Sequence, residues 1–153
     1  MPASLLDSNV WVAATFTAHA FHRECMAVLR QSTLSERILF CRATEQSFLR
    51  LATTPRLLMR YGAEGMTNRH ALSALAALKA RPGVDYLEEP PGAVALWHQL
   101  AARETASPKV WMDAYLAAFA ISGNLEFVTL DRDFEVYVTH GLQLRLLGND
   151  PAP

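Results

Sequence analysis

Only two cysteines, Cys25 and Cys41, occur in the 153 residues. They allow one bridge at most, so disulfides cannot be the main support of the fold, and buried, reduced thiols in a cytoplasmic protein are the expectation. The start of the chain lacks a basic segment followed by an apolar core and a cleavage site, so no signal peptide is expected. Excess charge is also missing. The formal net charge is −1, which advertises neither a nucleic acid nor a membrane, and any polyanion site must be local. No apolar run approaches the roughly 20 residues of a membrane helix. The longest, "VWMDAYLAAFAI", is short and carries Asp113.

What is present is a chain with 51% hydrophobic and 19% charged residues, a balance that favours a packed core over disorder. Its length suits one domain. We assign residues 1–148 to that domain and 149–153 to a loose C-terminal tail.

Short apolar runs alternate with helical periodicity along the whole chain. Residues 3–7 predict a first strand, 37–41 ("RILFC") a second, "VDYLEE" a third, "LEFVTL" a fourth and "LQLRLL" a last edge strand. Between them, helical spacing is found from His19 to about Ser32, over 44–53, after Thr67 as N-cap, and over "AVALWHQLAAR". A further helix over "SPKVWMDAYLAAFAIS" has Ser107 as a candidate N-cap and Pro108 at its first position, and closes at Gly123-Asn124. Such alternation predicts a three-layer α/β/α domain with a mostly parallel central sheet.

In such a sheet ligands bind beyond the carboxyl ends of the strands. Asp7 follows "SLL", Asp131 follows "FVTL", and Glu45 opens the helix after "ILFC". Asp113 differs, since it lies one turn into a strongly apolar helix, where an uncompensated carboxylate is costly. Converging acids either raise each other's proton affinity or bind a hard cation, and oxygen ligands suit Mg²⁺ or Mn²⁺. Such a metal supports attack of water on phosphorus.

Four segments, "LLDSNVWVA", "TEQSFLRL", "DAYLAAFA" and "FVTLDRDF", resemble in order and separation the PIN domain nucleases, and among them the VapC toxins of bacterial toxin–antitoxin pairs. The resemblance spans nearly the whole chain and extends to His19 and His22, which match an H-x-x-H found in one subgroup. It implies Mg²⁺- or Mn²⁺-dependent cleavage of single-stranded or loop RNA, commonly tRNA or rRNA. Asp7 and Asp113 would be the principal metal ligands, with Glu45 and Asp131 completing the cluster. Asn9 and Thr129 would orient carboxylates, and Asp133 competes with Asp131 for the fourth place. The resemblance also implies a VapB-type antitoxin, an RNA substrate and a homodimer as partners.

Arg42, Arg50, Lys109 and Arg132 stand beside these motifs as candidate RNA-phosphate contacts. A haloacid dehalogenase-like phosphatase would need a second acid two positions after the first, where this chain has Asn9. The remaining alternative is a PIN-type module that binds RNA without cutting it. His19 and His22 are expected to pack or cap near a helix start, Trp97 and Trp111 to lie in the core, and Trp11 to be core or a dimer contact.

Overall fold

Leu5 and Leu6 are neighbours in the chain, yet they belong to different hydrophobic cores. Side chains of a strand alternate between the two faces of its sheet, so this division marks a sheet covered on both sides. The same alternation separates Leu39 from Ile38 and Phe40, and Phe127 from Val128. The computed structural model describes residues 2–148, and the tail expected at 149–153 lies outside the described residues.

Five strands form the sheet: β1 (Ser4–Leu6), β2 (Ile38–Phe40), β3 (Val84–Tyr86), β4 (Glu126–Thr129) and β5 (Gln143–Leu146). Their order is β3-β2-β1-β4-β5, and every pairing is parallel. One face is covered by α1 (Ser8–Thr15), α2 (His22–Gln31), α3 (Arg42–Leu51), α4 (Pro55–Arg60) and α5 (Asn68–Lys79). The other carries α6 (Ala93–Ala101), α7 (Val110–Ser122) and a 3₁₀ helix, Arg132–His140. This is the three-layer α/β/α architecture that the alternating periodicity predicts.

Local signals explain several boundaries. Thr67 caps α5 by accepting from the His70 amide, while His70 Nδ1 accepts from the Thr67 amide. At the end of α7, Asn124 takes φ 51° and the Leu125 and Asn124 amides return to the Ala120 and Ile121 carbonyls. That is the Schellman closure foreseen from Gly123-Asn124, with the left-handed residue being the asparagine.

Other expectations shift. Helix α2 begins at His22 rather than His19, because His19 Nδ1 accepts from the Phe21 amide and shapes a turn before the helix. Helix α7 begins at Val110 with Lys109 at the cap position, and Ser107 bonds to Thr105 instead of capping. Pro55 stands just past α3 and opens α4 at its first position. Trp111 is a correction: it is 52% exposed, because the first turn of α7 projects beyond the core while only the later turns are buried. Trp97 is half-buried and its Nε1 donates to the Trp111 carbonyl at 2.8 Å. Trp11 is fully buried and stacks on Phe40, which makes it a core residue. Both cysteines are buried and free.

Candidate active site

The register places the acids. Leu6 pairs with Val128, and the Asp7 amide donates to the Val128 carbonyl, so Asp7 leaves β1 level with Thr129 at the end of β4. Asp7 caps α1: its Oδ1 accepts from the Ser8 amide at 2.8 Å. Its Oδ2 accepts from the Thr129 hydroxyl at 2.7 Å. That hydroxyl in turn accepts from the Asp131 amide at 3.0 Å and from Asn9 Nδ2 at 3.3 Å. One donor and two lone pairs are thereby used in full at a residue with no solvent exposure.

Asn9 Oδ1 accepts from the Leu130 amide at 3.3 Å, so its side chain clamps the β4 exit to the first turn of α1. Asp131 accepts from the Asp133 amide at 2.9 Å and caps the 3₁₀ helix. A single hydrogen-bonded unit thus runs through Asp7, Asn9, Thr129 and Asp131.

Asp113 enters from the first turn of α7 and is half-buried. Burial, and then the charges of Asp131, Asp7 and Asp133 in that order, push its carboxyl up to about 6. Burial also raises Asp7, with Asp131 adding to it, while Thr129 and Ser8 hold it down. Asp131 therefore acts on both Asp7 and Asp113, whereas Asp133 acts on Asp113.

Beside Asp113 opens a cleft of ≈ 390 Å³ lined by Arg103, Lys109, Arg132, Asp133 and Tyr137, among others. Lys109 and Arg132 were expected here. Arg103 and Tyr137 were not, since nothing in "AAR" or "EVY" marks them as site residues. Their pairing depends on the loop before α7 meeting the 3₁₀ helix. Burial and then the charge of Asp113 raise the proton affinity of Tyr137, and the positive charge of Arg103 opposes them.

Two candidates stand apart. Glu45 is 3% exposed, with its oxygens at 2.9 Å from Arg42 Nη1 and 2.8 Å from Lys79 Nζ. Arg50 lies in the last turn of α3, about 12 Å along the helix axis from Arg42, and so away from the strand ends. Its expected place at the carboxyl edge is not what the fold provides. His19 and His22 pack as expected, His22 Nδ1 lying 2.9 Å from the Ala13 carbonyl.

Hard carboxylate oxygens that raise one another's proton affinity are a fitting donor set for Mg²⁺ or Mn²⁺. Among the described residues no three ligating side chains already stand together around one point. Mg²⁺ characteristically uses one or two direct carboxylates and keeps its waters, which this arrangement can meet.

The PIN domain family model matches residues 4–138. The chain belongs to the PIN domain family. It is 44% identical over 144 residues to ribonuclease VapC41 of Mycobacterium tuberculosis, strains CDC 1551 and H37Rv, covering 94% of this chain and 97% of the relative. This places the PIN domain on the VapC branch. Among solved structures, VapBC2 from Rickettsia felis bound to a promoter DNA fragment covers 94% of this chain and 98% of its own, with a TM-score of 0.60 at 14% identity. VapC20 of M. tuberculosis, described as a sarcin–ricin loop cleaving toxin, covers 94% and 99%, with a TM-score of 0.59 at 17% identity. These likenesses agree with the sheet order and layers of the PIN domain described above.

Proposed function

We propose that this PIN domain is a Mg²⁺- or Mn²⁺-dependent endoribonuclease toxin that cuts single-stranded or loop RNA, tRNA or rRNA, and so inhibits translation. The observation that carries the reading is the joining of Asp7 and Asp131 through the Thr129 hydroxyl at the carboxyl edge of the sheet, with Asp113 in the cleft beside them. It is supported by 44% identity to a ribonuclease over nearly the whole chain.

Asp7 and Asp113 are the direct metal ligands in this reading, with Asp131 acting on both. When bound, the metal supplies an activated water and stabilises charge on the phosphate oxygens. Thr129 fixes the Asp7 carboxylate through Oδ2, and Asn9 keeps Thr129 in place. Arg103 and Lys109 offer positive charge to RNA phosphates along the cleft. A VapB-type antitoxin holds the enzyme inactive, and the active form is a homodimer.

The test incubates the purified chain with total RNA and Mg²⁺, beside Asp7→Asn, Asp113→Asn and an EDTA control. Cleavage that needs the metal and is lost in both variants is expected. Metal-independent cleavage, or full activity in both variants, would overturn the mechanism. Co-purification with the product of a short neighbouring reading frame, and sedimentation of the pair, test the antitoxin and the dimer.

A further inference from the structure

Glu45 is the acid that the family resemblance would hand to the metal, yet its surroundings differ from those of the aspartates. Asp7 is held by neutral donors from Ser8 and Thr129. Glu45 instead has a cation on each oxygen, Arg42 on Oε1 and Lys79 on Oε2. A buried carboxylate neutralised twice attracts a divalent ion weakly, and an ion drawn to it would face two positive side chains.

The cations themselves face outward. Arg42 is 67% exposed at its side chain and Lys79 is 38% exposed, while Glu45 beneath them is 4% exposed. Both lie over the Tyr86 ring, at 5.1 Å and 5.4 Å from its centroid. A tyrosine face and a buried carboxylate thus fix two long, otherwise mobile side chains next to each other. Arg has five N–H donors and Lys three, so one ion pair each leaves donors for an incoming anion.

Their place in the fold is also informative. Arg42 begins the helix after β2, and β2 is the direct neighbour of β1, which ends at Asp7. The Arg42–Lys79 pair therefore flanks the carboxylates on the β2 side. Arg103 and Lys109 flank them on the side of α7 and β4. A strand crossing the aspartates would meet positive charge before and after them.

We propose that Glu45 is a positioning residue rather than a metal ligand, and that the Arg42–Lys79 pair it holds is a phosphate subsite for the RNA strand. The subsite rests on the ribonuclease reading above, whereas the metal arm below does not depend on RNA.

Calorimetric titration of Mn²⁺ into the metal-free full chain separates the acids. Glu45→Gln should keep Mn²⁺ affinity within about twofold, whereas Asp113→Asn should lose about tenfold or more. An equal loss in both would make Glu45 a ligand and overturn the assignment.

Binding of a fluorescent single-stranded RNA in EDTA, followed by anisotropy over a salt series, tests the subsite. Arg42→Ala and Lys79→Ala should each weaken binding several-fold and lower the slope of log K against log salt by about one. Lys79→Arg should restore the slope. In a Glu45→Gln background the cost of Lys79→Ala should shrink, because the lysine has already lost its position. These two alanine variants change exposed side chains, so they carry the test even if Glu45→Gln does not fold. Unchanged affinity and slope in both, with wild type binding RNA, would overturn the subsite alone. A wild-type chain that neither binds nor cuts RNA would overturn the proposed function together with the subsite.

Discussion

The Thr129 hydroxyl reaches Asp7 Oδ2 at 2.7 Å across 122 residues of sequence, and it ties the carboxylate of the first strand's acid to the fourth strand. Thr129→Val keeps the shape and removes the hydroxyl. It leaves the Asp7 carboxylate, Asn9 Nδ2 and the Asp131 amide each short of a partner. The expected cost is about 1–3 kcal/mol in urea unfolding, with Mn²⁺ affinity down about tenfold or more. Thr129→Ser should recover most of both. A Val variant as stable and as tight as wild type would show the hydroxyl to be dispensable.

Asp113 sets a pH dependence whose sign is opposite to that of an ion-paired acid. Its carboxyl is pushed up to about 6 in the folded chain, against about 3.9 when unfolded. Its contribution is therefore fully present below about 4 and is lost as pH rises through about 6. In the metal-free chain, Asp113→Asn should be more stable than wild type at neutral pH, and the difference should vanish toward pH 4. Urea midpoints for the two proteins across that range check it. A constant difference would mean that Asp113 titrates normally.

The two tryptophans near the acids should answer differently to truncation. Trp11 is fully buried, with its ring 3.8 Å from that of Phe40, and Trp11→Ala should cost about 3–5 kcal/mol. Its Nε1 has no protein hydrogen-bond partner among the described residues, so Trp11→Phe should cost much less. Trp111→Ala should change stability within about 0.5 kcal/mol, because the bond from Trp97 goes to its backbone carbonyl. Thermal melts of the three variants rank these effects.

Cys25 has no solvent exposure, and its thiol is pushed up to about 12 by burial and by Glu24. Cys41 is buried and shifted in the same direction. Iodoacetamide at mildly alkaline pH should therefore label neither thiol in the native chain and both after unfolding, as read by intact mass. Rapid native labelling would show that the core opens locally.

Much of the layout was legible because it rests on local chemistry. Asp7 at a strand exit, the Thr67 cap and the Gly123-Asn124 closure each need only a few neighbouring residues. The alternation of apolar runs with helical periodicity was enough for the three layers. The site was legible only as three strand-end acids and one acid in an apolar helix. That Asp131 acts on Asp7 follows from the register of β1 with β4, and that it acts on Asp113 from the packing of α7 against β4 and the 3₁₀ helix, neither of which any spacing reveals. Lys79 sits in a plain amphipathic helix, and only the packing of α5 against α3 brings it to Glu45. Trp111 misled because an apolar helix was assumed to be buried from its first turn.

The central strand β1 is three residues long and is flanked by β2, some 34 residues away, and by β4, 122 residues away. Closing the second of these pairings requires nearly the whole polypeptide, and such distant contacts form slowly. A growing chain therefore carries Asp7 without Thr129 or Asp131 for most of its synthesis. The carboxylate set is complete only once β4 has returned to β1, so a chain stopped before Thr129 lacks both the hydroxyl that holds Asp7 and the acid that follows it.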